Sequence, residues 1–394
     1  MRAPRTLPPL GPLLAAAGLI LVVVATVLIY RTWTPALADG STASPTTPIA
    51  TVNPSGPTPY ASPLEVQAKT TVPGTLVYVR DGDLWVQSGT VARRITTSQD
   101  GSSVSGPAWA PDGVWIYYVE TRIAISRWYN PNNNNEIVDY KLTYPVLCRI
   151  HPDGTGKEEI LSGLIKSGSL RTFYWIRQPT VSPDGLTLAV ISDGPTWPGG
   201  SDNLVHLVTP STHRLGPALK VPEKWPFGLS EPAYSPDGRL IAYVMEDRSG
   251  KYGAPSIWVY DVKAKTARRV AAGYRDPAWS PDGKYLAAAR VDHDDLDVVV
   301  LDASSGEEIG RVTMDGVSWG PVWSPAGDAL IYMRLSGSDV DLRMVRIEGS
   351  GQSMTFRLEA DLTDYSGLDG GSRAAWYIPG AGPSEPSAQP SATE

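Results

Sequence analysis

The sequence predicts an all-β fold, a six-bladed β-propeller of four-stranded antiparallel blades, on three observations. A proline-led segment recurs, its copies are spaced at the size of a blade, and a short apolar run follows each copy. The copies are residues 107–113 (PAWAPDG), 179–185 (PTVSPDG), 232–238 (PAYSPDG), 277–283 (PAWSPDG) and 321–327 (PVWSPAG). Counted at their third residue they stand at 109, 181, 234, 279 and 323, with spacings of 72, 53, 45 and 44. A worn sixth copy, AAWYIPG at 374–380, places Trp376 another 53 residues on.

Each part of the repeat has a physical task. Ser-Pro-Asp-Gly sets proline at the second turn position, aspartate at the third and glycine where φ can be positive, which makes a hairpin turn. The leading proline cannot donate to a ladder, so its strand should be the inner edge of a blade, facing a channel. The runs after the turns, 115–119 (WIYYV), 188–191 (LAVI), 241–245 (IAYVM), 286–289 (LAAA) and 330–333 (LIYM), barely alternate, as strands covered on both faces should. Third strands such as 257–260 (IWVY) and 298–301 (VVVL) follow, then polar fourth strands such as 267–270 (ARRV).

The two ends of this region complete one another. Residues 75–96 read as strands two, three and four of a blade without its first strand, and residues 373–378 supply it. The carboxy-terminal strand should therefore close the first blade, giving a propeller over 73–380 with about 51 residues per blade. The 72-residue interval holds one set of blade strands, so six blades are expected rather than seven.

These copies resemble the WD40-like repeat of the TolB type, called PD40, and the likeness covers essentially the whole folded region. The resemblance implies a propeller and leaves activity open, because proteins with this repeat include partner-binding TolB, peptidase propellers and some polysaccharide lyases. A membrane segment and stalk stand here where TolB has a small α/β domain, so a Tol-Pal role does not follow.

Outside the repeat, no charged residue occurs from Thr6 to Tyr30, and residues 13–30 are apolar over about the length that spans a bilayer. Arg2 and Arg5 outweigh Arg31, which predicts a signal anchor over 1–31, its membrane helix at about 11–30 and the bulk of the chain outside. Cleavage after Ala38 is the alternative. Residues 32–72 are rich in Pro, Ser and Thr and read as a linker, and 381–394 as a disordered tail of similar character. The protein is thus expected at the cell membrane, single-pass, with the propeller on the extracytoplasmic side.

The chain holds 34 basic and 41 acidic residues, and three arginines with no acid lie in 1–31, so 31 basic face 41 acidic residues beyond. This excess argues against nucleic acid as a partner. The single cysteine, Cys148, can form no intramolecular disulfide and reads as a small buried hydrophobe. Neither a Gly-x-Ser-x-Gly elbow nor a Walker or dinucleotide fingerprint is present, and no catalytic residue or cofactor is assigned.

Binding is expected on the face that carries the longer, irregular links, which include 121–143, 164–178 and 193–203. Residues just before the motif prolines should ring the channel mouth there: Arg177, Gln178, Glu231, Arg275, Asp276, Trp319 and Arg373. Trp128, Trp197 and Trp225 add aromatic side chains that the repeat does not require. Asp292, Asp294 and Asp295 offer oxygen ligands for calcium but lack the glycine and terminal glutamate of an EF-hand.

The functional expectation is a non-catalytic scaffold, a monomer binding an envelope or cell-surface protein or glycan. The alternative is a propeller lyase or hydrolase acting on an extracellular polymer, which would need Glu231 and Asp276 held close with separated pKa values.

Overall fold

The second strands decide the architecture, because both of their faces are buried. In the computed structural model, which describes residues 65–99, 101–130, 133–195, 203–221, 228–246, 255–363 and 367–380, these strands are shared between two cores. Within residues 188–192, Leu188 and Val190 point to one core while Ala189 and Ile191 point to another. Among the described residues there are six such cores, one in each gap between neighbouring blades. Burying one of these aliphatic side chains contributes roughly 1.5–3 kcal/mol, so the closed ring of cores dominates stability.

Blade one contains β1 (Glu65–Arg80) and β2 (Asp83–Arg94). Blade two follows with β3 (Ser103–Trp109), β4 (Ile116–Asn130), β5 (Asn133–Ile150) and β6 (Glu158–Ser162). A separate hairpin, β7 (Leu164–Ser167) and β8 (Leu170–Phe173), leads to blade three: β9 (Arg177–Val181), β10 (Leu188–Ser192), β11 (Leu204–Thr209) and β12 (Arg214–Ala218). Blade four is β13 (Leu229–Tyr234), β14 (Leu240–Met245), β15 (Ser256–Asp261) and β16 (Thr266–Ala272). Blade five is β17 (Tyr274–Trp279), β18 (Tyr285–Asp292), β19 (Asp295–Asp302) and β20 (Glu308–Arg311). Blade six is β21 (Ser318–Trp323), β22 (Ala329–Ser336), β23 (Asp339–Glu348) and β24 (Thr355–Asp361).

The last strand, β25 (Ala375–Tyr377), pairs antiparallel with β1 and completes blade one from the channel side. Leu76 lies opposite Trp376, whose indole N–H donates to the Pro73 carbonyl at 2.6 Å. The closure expected from the sequence is therefore present, and so are the six blades. Blade one departs in one respect. The stretch expected as its fourth strand is continuous with β2, and Val91–Arg93 pairs with Glu65–Gln67 of β1. Pairing thus begins within residues that composition alone assigns to the linker, since backbone hydrogen bonds require no apolar periodicity there. The membrane helix and the tail expected at the two ends lie outside the described residues. Among the described residues no helix is long and apolar enough to cross a membrane.

Neighbouring blades are tied by the motif aromatics. The indole N–H groups of Trp109, Trp279 and Trp323 donate to the carbonyls of Ala375, Ala233 and Ala278 in the preceding blade, at 3.1–3.2 Å. The Tyr234 hydroxyl meets Thr187 across the gap between blades three and four. On the same face of the ring, Gly185, Gly238, Gly283 and Gly327 each abut the turn proline of the blade before.

The polar residue that recurs at the start of the third strand also has a local reason. Asp297 Oδ1 accepts from the Thr313 hydroxyl and from the Asp315 and Gly316 amides, while Thr313 Oγ1 accepts the Val298 amide. Asp83, Thr96 and Leu84 repeat the arrangement in blade one. The clasp satisfies backbone donors where strand four ends.

The described residues of the segment 121–143, expected as an irregular loop, are a regular extension of β4 and β5, paired from Arg122 with Tyr144 out to Tyr129 with Ile137. Its strand character is easy to miss because apolar residues appear on both faces of a two-stranded arm, so no single buried face shows in the pattern.

Candidate functional site

In five blades the residue before the motif proline adopts a left-handed backbone: Gly106, Gln178, Glu231, Asp276 and Gly320, with φ between 51° and 60°. Each inner strand bulges at that point. Glycine takes this conformation freely, whereas a side chain there costs on the order of 1 kcal/mol or more and must be held by other bonds.

The bonds that hold these residues form a belt around the channel mouth. The Glu231 amide donates to Gln178 Oε1 at 2.9 Å, the Asp276 amide to Glu231 Oε2 at 2.5 Å, and the Gly320 amide to Asp276 Oδ2 at 3.1 Å. Each side chain therefore caps the bulge of the next blade. The Gly106 amide completes the series in blade two by donating to Ser372 Oγ at 3.3 Å. Ser372 is a belt member that sequence reading missed, because the worn sixth repeat carries no motif proline to mark it.

Two arginines close around the acids. Arg275 bonds Glu231 Oε1 at 2.7 Å, while Arg373 donates to the Pro277 carbonyl at 2.8 Å and lies 3.8 Å from Asp276 Oδ1. Burial would raise the Glu231 pKa, but Arg275 and Arg373 beside it, with the Asp276 amide, bring it below its ordinary value. Burial, reinforced by the charge of Glu231, pushes Asp276 up, to about 7, against the pull of Arg373 and Arg275. Arg275 is held protonated, its burial outweighed by Glu231.

The arrangement brings Gln178, Glu231, Arg275, Asp276 and Arg373 together, as the repeat positions suggest. The acids lie inside, with side chains 7% and 12% exposed, and the arginines lie outside, at 38% and 24%. Arg177 is exposed beside them, its guanidinium 4.9 Å from the centre of the Trp175 ring. The Trp319 indole donates to the Gly370 carbonyl at 2.9 Å and packs against the core that closes the ring. Trp128 stands on the arm of blade two, apart from the belt, and Trp197 and Trp225 lie outside the described residues.

The aspartates weighed for calcium sit at a tight hairpin tip, where Asp292 lies opposite Asp295. Asp292 engages Arg290 and His293. Among the described residues no cluster of three or more His, Cys, Asp or Glu side chains forms a metal cage. Cys148 is buried in the core between blades one and two, where burial pushes its thiol up to about 12.

Residues 177–364 match the family model of the TolB beta propeller domain. Among solved structures, TolB from Acinetobacter baumannii superposes with a TM-score of 0.53 at 18% identity, covering 77% of this chain and 66% of that one. A protein assigned as TolB from Agrobacterium tumefaciens matches with a TM-score of 0.50 at 15% identity, covering 79% of this chain and 96% of that one. The chain thus spans 66% of the length of the Acinetobacter protein. No curated protein sequence matches it. At these identities the likeness is one of fold, a β-propeller of the TolB kind, and the TolB-type PD40 match itself is to residues 177–364.

Proposed function

We propose that this protein is a membrane-anchored, extracytoplasmic and non-catalytic binding module, whose channel mouth takes an acidic extended segment of a partner protein. The observation that carries this reading is the order of charges at the mouth. Glu231 and Asp276 spend their carboxylate oxygens on backbone amides and arginines of neighbouring blades, as struts of the belt. Arg177, Arg275 and Arg373 remain toward the opening, in a domain that is otherwise acidic. A cationic rim on an acidic body focuses anionic groups toward the channel. Acid/base chemistry would require the same carboxylates to leave the struts they form. The uncharged apolar run at residues 13–30 supports anchoring and with it an envelope partner, and the TolB-type propeller supports a protein one.

Trp175 lies under Arg177 and reports occupancy by fluorescence. A hexaglutamate peptide should change that emission in a salt-dependent way, hexalysine should not, and Arg177→Glu should abolish the response without lowering the melting temperature. Equal responses to both peptides would remove the anionic-ligand reading. Turnover of an acidic polysaccharide by the purified protein would replace it with the enzyme.

A further inference from the structure

The arm of blade two holds an unclaimed edge. β6 pairs with β5 only over Val146–Arg149, and among the described residues no strand pairs with the outer edge of β5 from Ile137 to Tyr144. The arm is nonetheless rich in apolar side chains, with Ile125 52%, Ile137 62% and Tyr140 61% exposed. A long, exposed edge of this kind is a template for a further strand.

The sequence of that edge says which strand fits. Read antiparallel against itself about Tyr140, residues 137–143 (IVDYKLT) place Ile137 opposite Thr143, Val138 opposite Leu142 and Asp139 opposite Lys141. Every position then meets a matching one: β-branched with β-branched, aliphatic with aliphatic, and acid with base on both sides of the axis. Tyr140 meets its own copy at the centre.

The rows continue into β4. Asp139 already pairs with Arg127 across the hairpin at 3.1 Å, so Lys141 of a second copy would extend a row of alternating charge. On the other face, Trp128 lies beside Val138, and Leu142 and Ala124 of the second copy would extend that row as an apolar one.

We infer that two copies of this chain associate through β5, edge to edge about a two-fold axis at Tyr140, forming a four-stranded sheet from two arms. The interface is isologous and closes as a dimer. This differs from the monomer expected from the sequence. It is independent of the ligand read for the channel mouth.

The test uses the full-length chain in detergent. Sedimentation velocity should show a dimer, and Tyr140→Cys should give a disulfide-linked dimer on mild oxidation. Opposed residues in such a pair have Cα atoms about 4.5–5.5 Å apart, within disulfide reach. Cys148 is buried and does not compete, and Leu186→Cys, exposed on the far face, should stay uncrosslinked. Asp139→Lys and Lys141→Asp each set like charges opposite one another and should weaken self-association by roughly tenfold. An equimolar mixture of the two variants should restore the dimer, because each acid again meets a base. A monomeric wild type, an uncrosslinked Tyr140→Cys, or a mixture no better than its components would overturn the assignment. Unchanged melting temperatures of the variants separate lost association from lost folding.

Discussion

Glu231 Oε2 accepts the backbone N–H of Asp276 at 2.5 Å, joining blade four to blade five through a side chain forty-five residues from its partner amide. The same glutamate binds Arg275 through its other oxygen, so one buried carboxylate satisfies two donors from the adjacent blade.

Removing that carboxylate should be costly. Glu231→Ala leaves the buried Asp276 amide without its acceptor and the part-exposed Arg275 without its partner, and an orphaned buried donor costs about 1–3 kcal/mol. Glu231→Gln keeps an oxygen for the amide and should cost less. Urea midpoints of the two variants measure the difference, and equal midpoints would refute the strut.

Asp276 should make stability depend on pH in an unusual direction. With its pKa raised to about 7, the folded chain holds a proton that the unfolded chain releases near its ordinary carboxylate value. This contribution is complete at acid pH and declines as pH rises from about 4 to about 7. Glu231, shifted down, acts oppositely and loses its contribution as pH falls through its folded value. In Asp276→Asn the decline toward pH 7 should vanish, while the Gly320 amide keeps an acceptor. Melting curves from pH 4 to pH 8 test this, and parallel profiles for variant and wild type would contradict it.

The latch should control the whole ring. Trp376 fills the core between blades six and one, and Trp376→Ala should cost about 3–5 kcal/mol. Deleting residues 373–394 takes away the inner strand of blade one and should abolish cooperative unfolding near the wild-type temperature. Circular dichroism melts provide the measurement. A truncated chain that melts like the intact one would place the closure elsewhere.

Much of the fold was legible because its signals are local. Pro-Asp-Gly corners impose turns wherever they occur, and second strands such as 188–191 read as doubly covered because every residue in them is apolar. The positions of Gln178, Glu231 and Asp276 followed from the same period. Their role did not, since nothing in the run before a proline reveals a left-handed backbone or the amide that waits in the next blade. Trp319 shows the converse: its position follows from the period, while its bond to the Gly370 carbonyl and its packing against the neighbouring core do not.

By itself the sequence determined a ring of six sheets and the strand that closes it, because turn chemistry and strand burial repeat with a period written in the chain. Only the tertiary structure decided which oxygen meets which amide around the channel, and that residues 121–143 extend as a paired arm. Those outcomes depend on contacts between blades and along a hairpin that is covered only in part, where neither burial nor periodicity leaves a one-dimensional mark.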